Sequence, residues 1–264
     1  MNKVIRAEFG RTINAGLIIA IAGIIFSICF DSFNDLIAGL RNGQGYVGYF
    51  FSNAAFGGMC THHMLPVFTA LPFSVSLCQE RNNKAVSYIV SREGKNRYIF
   101  AKFIVSAISG GFVAACGTVL LFLMLAMRFP IAGDEFEGAV VSDYFHEWSA
   151  VYYPQLYILT LSILAFCRGV IWSSLALCVS LYTSDFMVVL LSPFLGSYVL
   201  VRIFQIIRVP DMVRPDMILI GQVVIKSSGL TLLIAIAISL TIVTLIGAFF
   251  VGKMKEGLKS GTIY

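Results

Sequence analysis

The sequence predicts an all-α, polytopic membrane protein with six transmembrane helices, and three observations carry that expectation. Hydrophobic residues make up 58% of the 264, and charged residues only 12%. Soluble domains carry about 25% charged residues, so this chain has roughly half the usual share. Mean hydropathy is +0.85. Several uncharged runs approach the ~20 apolar residues that cross a bilayer. Residues 1–264 read as a single transmembrane domain.

The elements follow in order. Residues 1–13 form an amphipathic stretch in which Ile5 and Phe9 share a face and Arg6 and Arg11 turn toward anionic headgroups. The apolar run 14–30 is the first crossing. A cleaved signal peptide is the competing reading of this segment. However, Cys29-Phe30-Asp31-Ser32 lacks a small-residue cleavage site, and five more spans follow. The second span, 57–78, contains Pro66 and Pro72 and is expected to kink. The third, 103–127, is free of charge and would reach about 38 Å, enough to cross with tilt. Within it, Ser106 with Gly110 and Ala107 with Gly111 repeat at four-residue spacing, which lets a neighbouring helix approach closely. The fourth span, 155–182, is interrupted by Arg168. Only residues 183–185 separate it from the fifth, Phe186–Ile207, so these two form an antiparallel hairpin, with Pro193 as a kink in the fifth. The sixth is 228–252.

Between the last two spans, residues 208–227 contain a doubled Pro-Asp-Met, at Pro210-Asp211-Met212 and Pro215-Asp216-Met217. Proline at a first helical position followed by Asp favours a helix start. The apolar run 218–225 is too short to cross, so short re-entrant helices in the outer leaflet are expected.

Basic residues set the orientation. With the N-terminus inside, the inner segments carry Lys3, Arg6, Arg11, Arg81, Lys84, Arg92, Lys95, Arg97, Lys102, Lys253, Lys255 and Lys259, which is 12 of the 19 Lys and Arg. The outer side holds most of the acid: Asp31, Asp35, Asp134, Glu135, Glu137, Asp143, Glu147, Asp211 and Asp216. Both termini are expected inside. The net charge of +5 reflects this sidedness, and nothing points to nucleic acid.

No enzyme signature survives inspection. Gly43-Gln44-Gly45-Tyr46-Val47-Gly48 matches G-x-G-x-x-G, but it follows a transmembrane helix, and the next acidic residue is Glu80, too far on for a dinucleotide fold. His146-Glu147 begins like a zinc-protease helix, yet position 150 is Ala150. His62-His63 lacks further ligands at metal spacing, and Gly94-Lys95 is followed by Asn96, so no phosphate-binding P-loop exists. The cysteines Cys29, Cys60, Cys78, Cys116, Cys167 and Cys178 form no C-x-x-C and lie mostly inside spans. Cys29 and Cys60 both fall near the outer face, and two unpaired thiols is the reading kept for them.

The most polar segment is the island 80–102, ERNNKAVSYIVSREGKNRYIFAK, set between two apolar spans. By itself it is a solvated loop obeying the charge bias. Together with Ala7-Glu8-Phe9 in the basic N-terminal stretch, Glu80-Arg81 closing the second span, and Tyr98 and Lys102 opening the third, it resembles the ABC-2 type permease family. Those proteins are membrane subunits of ABC exporters. The resemblance covers the whole chain in topology, through few matching residues. It implies an N-terminal elbow helix and a coupling helix at 82–90 that docks on an ATP-hydrolysing subunit. Val86 and Ile89 would be its apolar knobs, with Glu80, Arg81, Lys84 and Arg92 around them. It further implies an outer gate at Pro210, Asp211, Pro215 and Asp216. The implied partners are a cytosolic ABC ATPase dimer, a second permease copy or a homologous permease, and the lipid bilayer. This chain would hold no cofactor of its own, since ATP and Mg would be bound by the ATPase. The implied location is a bacterial plasma (inner) membrane.

Arg168 is the one charge deep within a span. An Arg at a helix centre costs about 2.5–3.5 kcal/mol on insertion scales, so it must face protein or a wet cavity. No acidic residue lies within any predicted span, which leaves backbone carbonyls, water, a lipid headgroup or a substrate carboxylate as its partner. Packing at a helix interface and lining of a transport path are both open readings of Arg168. The expected function is therefore a non-catalytic permease subunit exporting peptides or amphipathic drugs. The alternative is a membrane scaffold or sensor subunit that docks a cytosolic partner through the island. A secondary transporter would place more ionisable carriers in the membrane than Arg168 alone.

Overall fold

The computed structural model describes residues 2–42, 47, 50–51, 58–130, 153–223 and 225–260, and every regular element among them is helical. Helix α1 (Asn2–Thr12) and α2 (Ala15–Asp31) meet at a 57° bend. The bend has a local cause: the Asn14 side chain accepts a hydrogen bond from the Leu17 N–H at 3.2 Å, capping α2 and stopping α1. Helix α3 (Phe33–Asn42) follows. Helix α4 (Met59–Ala70) starts on the carboxylate of Asp31, which accepts from the N–H groups of Cys60 at 3.1 Å and Thr61 at 2.6 Å. A negative group at a helix N-terminus satisfies orphan donors and opposes the helix dipole. The far end of α2 is thereby fixed beside the start of α4.

The expected second span, 57–78, is not one kinked helix. Pro66 is accommodated inside α4, but at Pro72 the helix breaks into turns before α5 (Ser76–Asn82) begins. A proline removes a donor and clashes with the preceding turn, and here the broken backbone is buried among neighbours, with Phe73 and Ser74 almost fully covered. Helix α6 (Val86–Glu93) is joined to α7 (Lys95–Ala126) by Gly94 alone. Gly94 sits at φ +86°, a conformation that a side chain disfavours. Helices α8 (Pro154–Val179) and α9 (Phe186–Ile207) form the expected hairpin, and Asp185 caps α9 by accepting from Met187 N–H at 2.8 Å. A 3₁₀ turn (Asp211–Val213), α10 (Pro215–Ile220) and α11 (Ser228–Ser260) complete the described chain.

Among the described residues, four helices are long and apolar enough to cross a membrane: α7, α8, α9 and α11. A fifth candidate is the bent pair α1 and α2. These are features of a multi-pass membrane protein. Helices α7 and α8 are central and mostly buried, whereas α9 and α11 bury little of their apolar length. Their outer faces expose Leu195 on α9 and Leu233, Leu240 and Leu245 on α11, apolar side chains that water would disfavour and hydrocarbon would not.

The central pair is held by small residues. A Cβ placed on Gly169 of α8 would overlap the backbone of Gly110 and Gly111 in α7, and one on Gly110 would overlap Ser173. The small-residue stripe of the third span therefore meets α8 of the same chain. Ser74, at the break after α4, bonds Ser106 Oγ and the Ser173 carbonyl, each at 2.9 Å, tying the break to both central helices. Residues such as Ile24, Leu65, Val113 and Leu164 fill the middle of the bundle. A separate cluster of Leu77, Val86, Tyr98, Leu177, Phe250 and Met254 fills one end. The ends of α1, α5 and α11 meet at that same end, where Lys95 Nζ also donates to the Lys255 carbonyl at 3.1 Å.

Candidate functional site

Three helices each bring two polar groups to one buried point at this end. On α1, Glu8 and Arg11 share a face at i, i+3; on α5, Ser76 and Glu80 do so at i, i+4; on α7, Tyr98 and Lys102 do the same. Glu80 is 2% exposed and Lys102 and Tyr98 are fully buried. Lys102 Nζ donates to Glu80 Oε1 at 2.6 Å, to Glu8 Oε2 at 3.1 Å and to Ser76 Oγ at 3.2 Å. All three ammonium N–H donors thus have acceptors. Glu80 also accepts from Tyr98 Oη at 2.5 Å and from Arg11 Nη1. Arg11 reaches Glu8 at 3.3 Å, and the Phe73 ring lies 4.7 Å from the Lys102 ammonium.

Two carboxylates and two cations make the junction neutral, which is what burial of ionised groups requires. Burial by itself raises the Glu80 carboxyl, but the Lys102 charge and the hydrogen bonds from Lys102, Tyr98 and Arg11 outweigh it and hold Glu80 below its ordinary range.

This placement changes the role expected of Glu80. It anchors α1, α5 and α7 to one another and offers no side chain to a partner's surface. Arg81 is also turned inward: its Nη1 donates to the carbonyls of Ser180 at 2.8 Å, Leu181 at 3.2 Å and Thr183 at 3.4 Å, where α8 ends. A cation at a helix C-terminus satisfies orphan carbonyls and complements the dipole. Lys84 is exposed in the turn between α5 and α6, at φ +52°.

The helix expected at 82–90 is observed as Val86–Glu93, displaced toward Gly94. Its facing differs from the expectation. Val86 is fully buried against Leu77 and Tyr98, and Ile89 packs half-buried beside it, so Val86 is not an outward knob. The outward side carries Ser87, Tyr88, Ser91 and Arg92, with Tyr88 68% exposed. Arg92 is exposed and pairs with Glu93 at 2.9 Å.

At the opposite end, Pro210 precedes the 3₁₀ turn and Pro215 occupies the first turn of α10, as their positions predict. Asp211 and Asp216 both bind Arg214, a 5%-exposed residue that the sequence reading passed over; its nitrogens lie 3.2 Å from Asp211 and 2.7 Å from Asp216. Gly221, at φ +85°, ends α10. Arg168 is buried in mid-α8 and donates from Nη2 to the Thr61 carbonyl at 2.9 Å. Of the four kinds of partner left open for it, a backbone carbonyl is observed, on α4.

The remaining expectations are quickly placed. His62 and His63 stack edge to face at 4.7 Å, and His63 Nδ1 is 2.9 Å from Ser197 Oγ. No group of three potential metal ligands occurs among the described residues. All six cysteines, Cys29 and Cys60 included, are free thiols. The glycine motif at 43–48, apart from Val47, and the acidic segment with Asp134, Glu135, Glu137, Asp143, His146 and Glu147 lie outside the described residues. No family model matches this chain, and neither a curated protein nor a solved structure matches it.

Proposed function

We propose that this chain is the transmembrane permease subunit of an ATP-driven exporter, energised by a separate cytosolic ATPase dimer and working beside a second copy or a similar permease. The observation that carries this reading is the buried junction of Glu8, Arg11, Glu80, Tyr98 and Lys102. Helix α6 is the exposed element next to it, linked to α5 by a short turn and to α7 by one glycine. Because α1, α5 and α7 are clamped together, a push on α6 moves all of them as one body. That is what coupling to a motor needs, since small displacements travel through packed elements rather than being absorbed.

Connectivity supports six crossings. Helix α2 runs from the junction at Arg11 to Asp31 at the far end, and the broken pair α4 and α5 returns from Thr61 to Glu80. Seventeen residues of α2 reach about 25 Å, a thin crossing that a tilted α7 or a locally thinned bilayer would accommodate. On this reading the junction faces the cytosol of a bacterial cell, α10 closes the outer side, and the cargo is a peptide or amphipathic drug moved outward. ATP and Mg belong to the partner.

The test is a tagged purification from the native host in mild detergent, with mass spectrometry of what co-purifies. A stoichiometric P-loop ATPase, lost when Tyr88 and Arg92 are changed to Ala, supports the exporter. Glu80→Gln should retain the ATPase and uncouple transport from hydrolysis. A preparation without any ATPase overturns the reading in favour of a scaffold or sensor subunit.

A further inference from the structure

A cavity of about 50 Å³ lies between α4, α7, α8 and α10, lined by Thr61, Thr118, Arg168, Leu161, Ala165 and Leu219 among others. On a water-probe measure, one water needs roughly 10–15 Å³, so the space takes a few waters or one small oxyacid group. Among the described residues, Arg168 is the one charged residue in its wall. A guanidinium has five N–H donors, and among the described residues Arg168 gives one hydrogen bond, to the Thr61 carbonyl at 2.9 Å. It has no ion pair. Asp216, whose charge reaches it, is held by Arg214 at 2.7 Å. The two hydroxyls in the wall are turned to backbone, Thr118 Oγ1 to the Ala114 carbonyl at 2.9 Å and Thr61 Oγ1 to that of Ser27 at 3.5 Å.

An Arg that is more than nine-tenths buried, with most of its donors unmatched among the described residues, presents a forked cationic surface to an apolar chamber. Such a surface pairs two parallel donors with a carboxylate or phosphate. The other walls are apolar, and at this volume the space holds a headgroup and not the chain behind it. Neither half of the chamber suits a cation or a neutral polar solute.

We propose that the Arg168 cavity binds the anionic oxyacid headgroup of an amphiphile, a carboxylate or phosphate carried on an apolar chain, from the side covered by α10. This deepens the permease reading by naming a cargo chemistry, and rests on that reading only for the word cargo. Binding itself needs no ATPase.

The test uses the full chain in phosphatidylcholine nanodiscs, with radiolabelled dodecanoate as probe and dodecanol as the neutral control. Dodecanoate should show a saturable component of one per chain that dodecanol lacks. Arg168→Gln should weaken it at least about tenfold, the loss expected for a charge-assisted bidentate contact, while Arg168→Lys retains part of it. Ala165→Leu, which fills the chamber and leaves Arg168 in place, should abolish it. Native mass spectrometry after adding phosphatidylglycerol separates the sources. One phosphatidylglycerol retained per chain and displaced by dodecanoate identifies a bilayer lipid; no retention with dodecanoate still bound identifies a free amphiphile. The inference falls if no saturable component exists for either probe, or if Arg168→Gln and Ala165→Leu both bind as the unmodified chain does. Failure to find an ATPase in the purification leaves this result untouched.

Discussion

At the scale of single residues, Glu80 and Lys102 decide most. Removing one partner of a buried pair strands the other, at a cost of about 3–5 kcal/mol, whereas removing both is often nearly neutral. Glu80→Gln is therefore expected to lower the Tm of the purified protein more than the double change Glu80→Met with Lys102→Met, which leaves Glu8 and Arg11 as an ordinary helical pair. Tyr98→Phe should cost about 1.5–3 kcal/mol, the usual range for a hydrogen bond to a charged group. The pH dependence follows from the depressed Glu80 carboxyl. Its contribution is fully present above the unfolded value of 4.5 and is lost as pH falls through the lower folded value. Thermal scans should be insensitive to Glu80 from pH 8 to 5, then show a decline below about 4.5 that Glu80→Gln makes shallower. Glu8, Glu80, Tyr98 and Lys102 stood out in the sequence as marks at span ends, but their convergence did not. Each pair is visible as helical spacing. Which faces meet depends on the bend at Asn14 and the break at Pro72, and neither angle is written in a periodicity.

At the scale of elements, the α7–α8 contact and helix α6 give opposite lessons. The repeat Ser106, Gly110 and Ala107, Gly111 announced a close helix approach, and the approach exists; the counterpart Gly169 was overshadowed by the charge of Arg168 beside it. Gly169→Ala would press a methyl onto backbone atoms that cannot rotate away, so the helices must separate. Overpacking of this kind costs about 1–3 kcal/mol. Gly252→Ala in α11 is the control, since nothing lies within 4 Å of a Cβ there. It should be neutral or gain up to about 1 kcal/mol from helix propensity. Comparing the two denaturation midpoints separates packing from intrinsic preference. For α6, the resemblance made Val86 and Ile89 apolar knobs, and it could not say whether they look toward a partner or toward the protein's own Tyr98 and Leu77, against which Val86 is buried. Val86→Ala is accordingly expected to lower stability by about 1–3 kcal/mol. Tyr88→Ala, on the exposed side, should leave the Tm unchanged and, on the proposed reading, weaken capture of an ATPase.

At the scale of the whole molecule, composition was enough to read the chain as an apolar helical bundle, because few charges and long apolar runs admit little else. It could not reveal that α2 is short or that the α4 and α5 segment is broken, since hydropathy sums over a break without detecting it. The crossing number instead rests on which ends meet. Arg11 with Glu80, and Lys95 with the Lys255 carbonyl, gather the ends of α1, α5 and α11 on one side, while Asp31, Thr61 and the Arg214 cluster stand on the other. On the proposed reading these ends require an even number of crossings, and the basic bias would place the first side in the cytosol. In right-side-out vesicles, with the six native cysteines replaced, a thiol at Met212→Cys should react with a membrane-impermeant maleimide, and thiols at Arg6→Cys and Lys259→Cys should react only after permeabilisation. Met212 is 69% exposed, and Arg6 and Lys259 are exposed, so access is limited by sidedness rather than by packing. Labelling of Arg6→Cys and Lys259→Cys from opposite sides would require an odd crossing number. It would break α2 or the α4 and α5 pair as a span, and with it the route by which a push on α6 reaches the outer side.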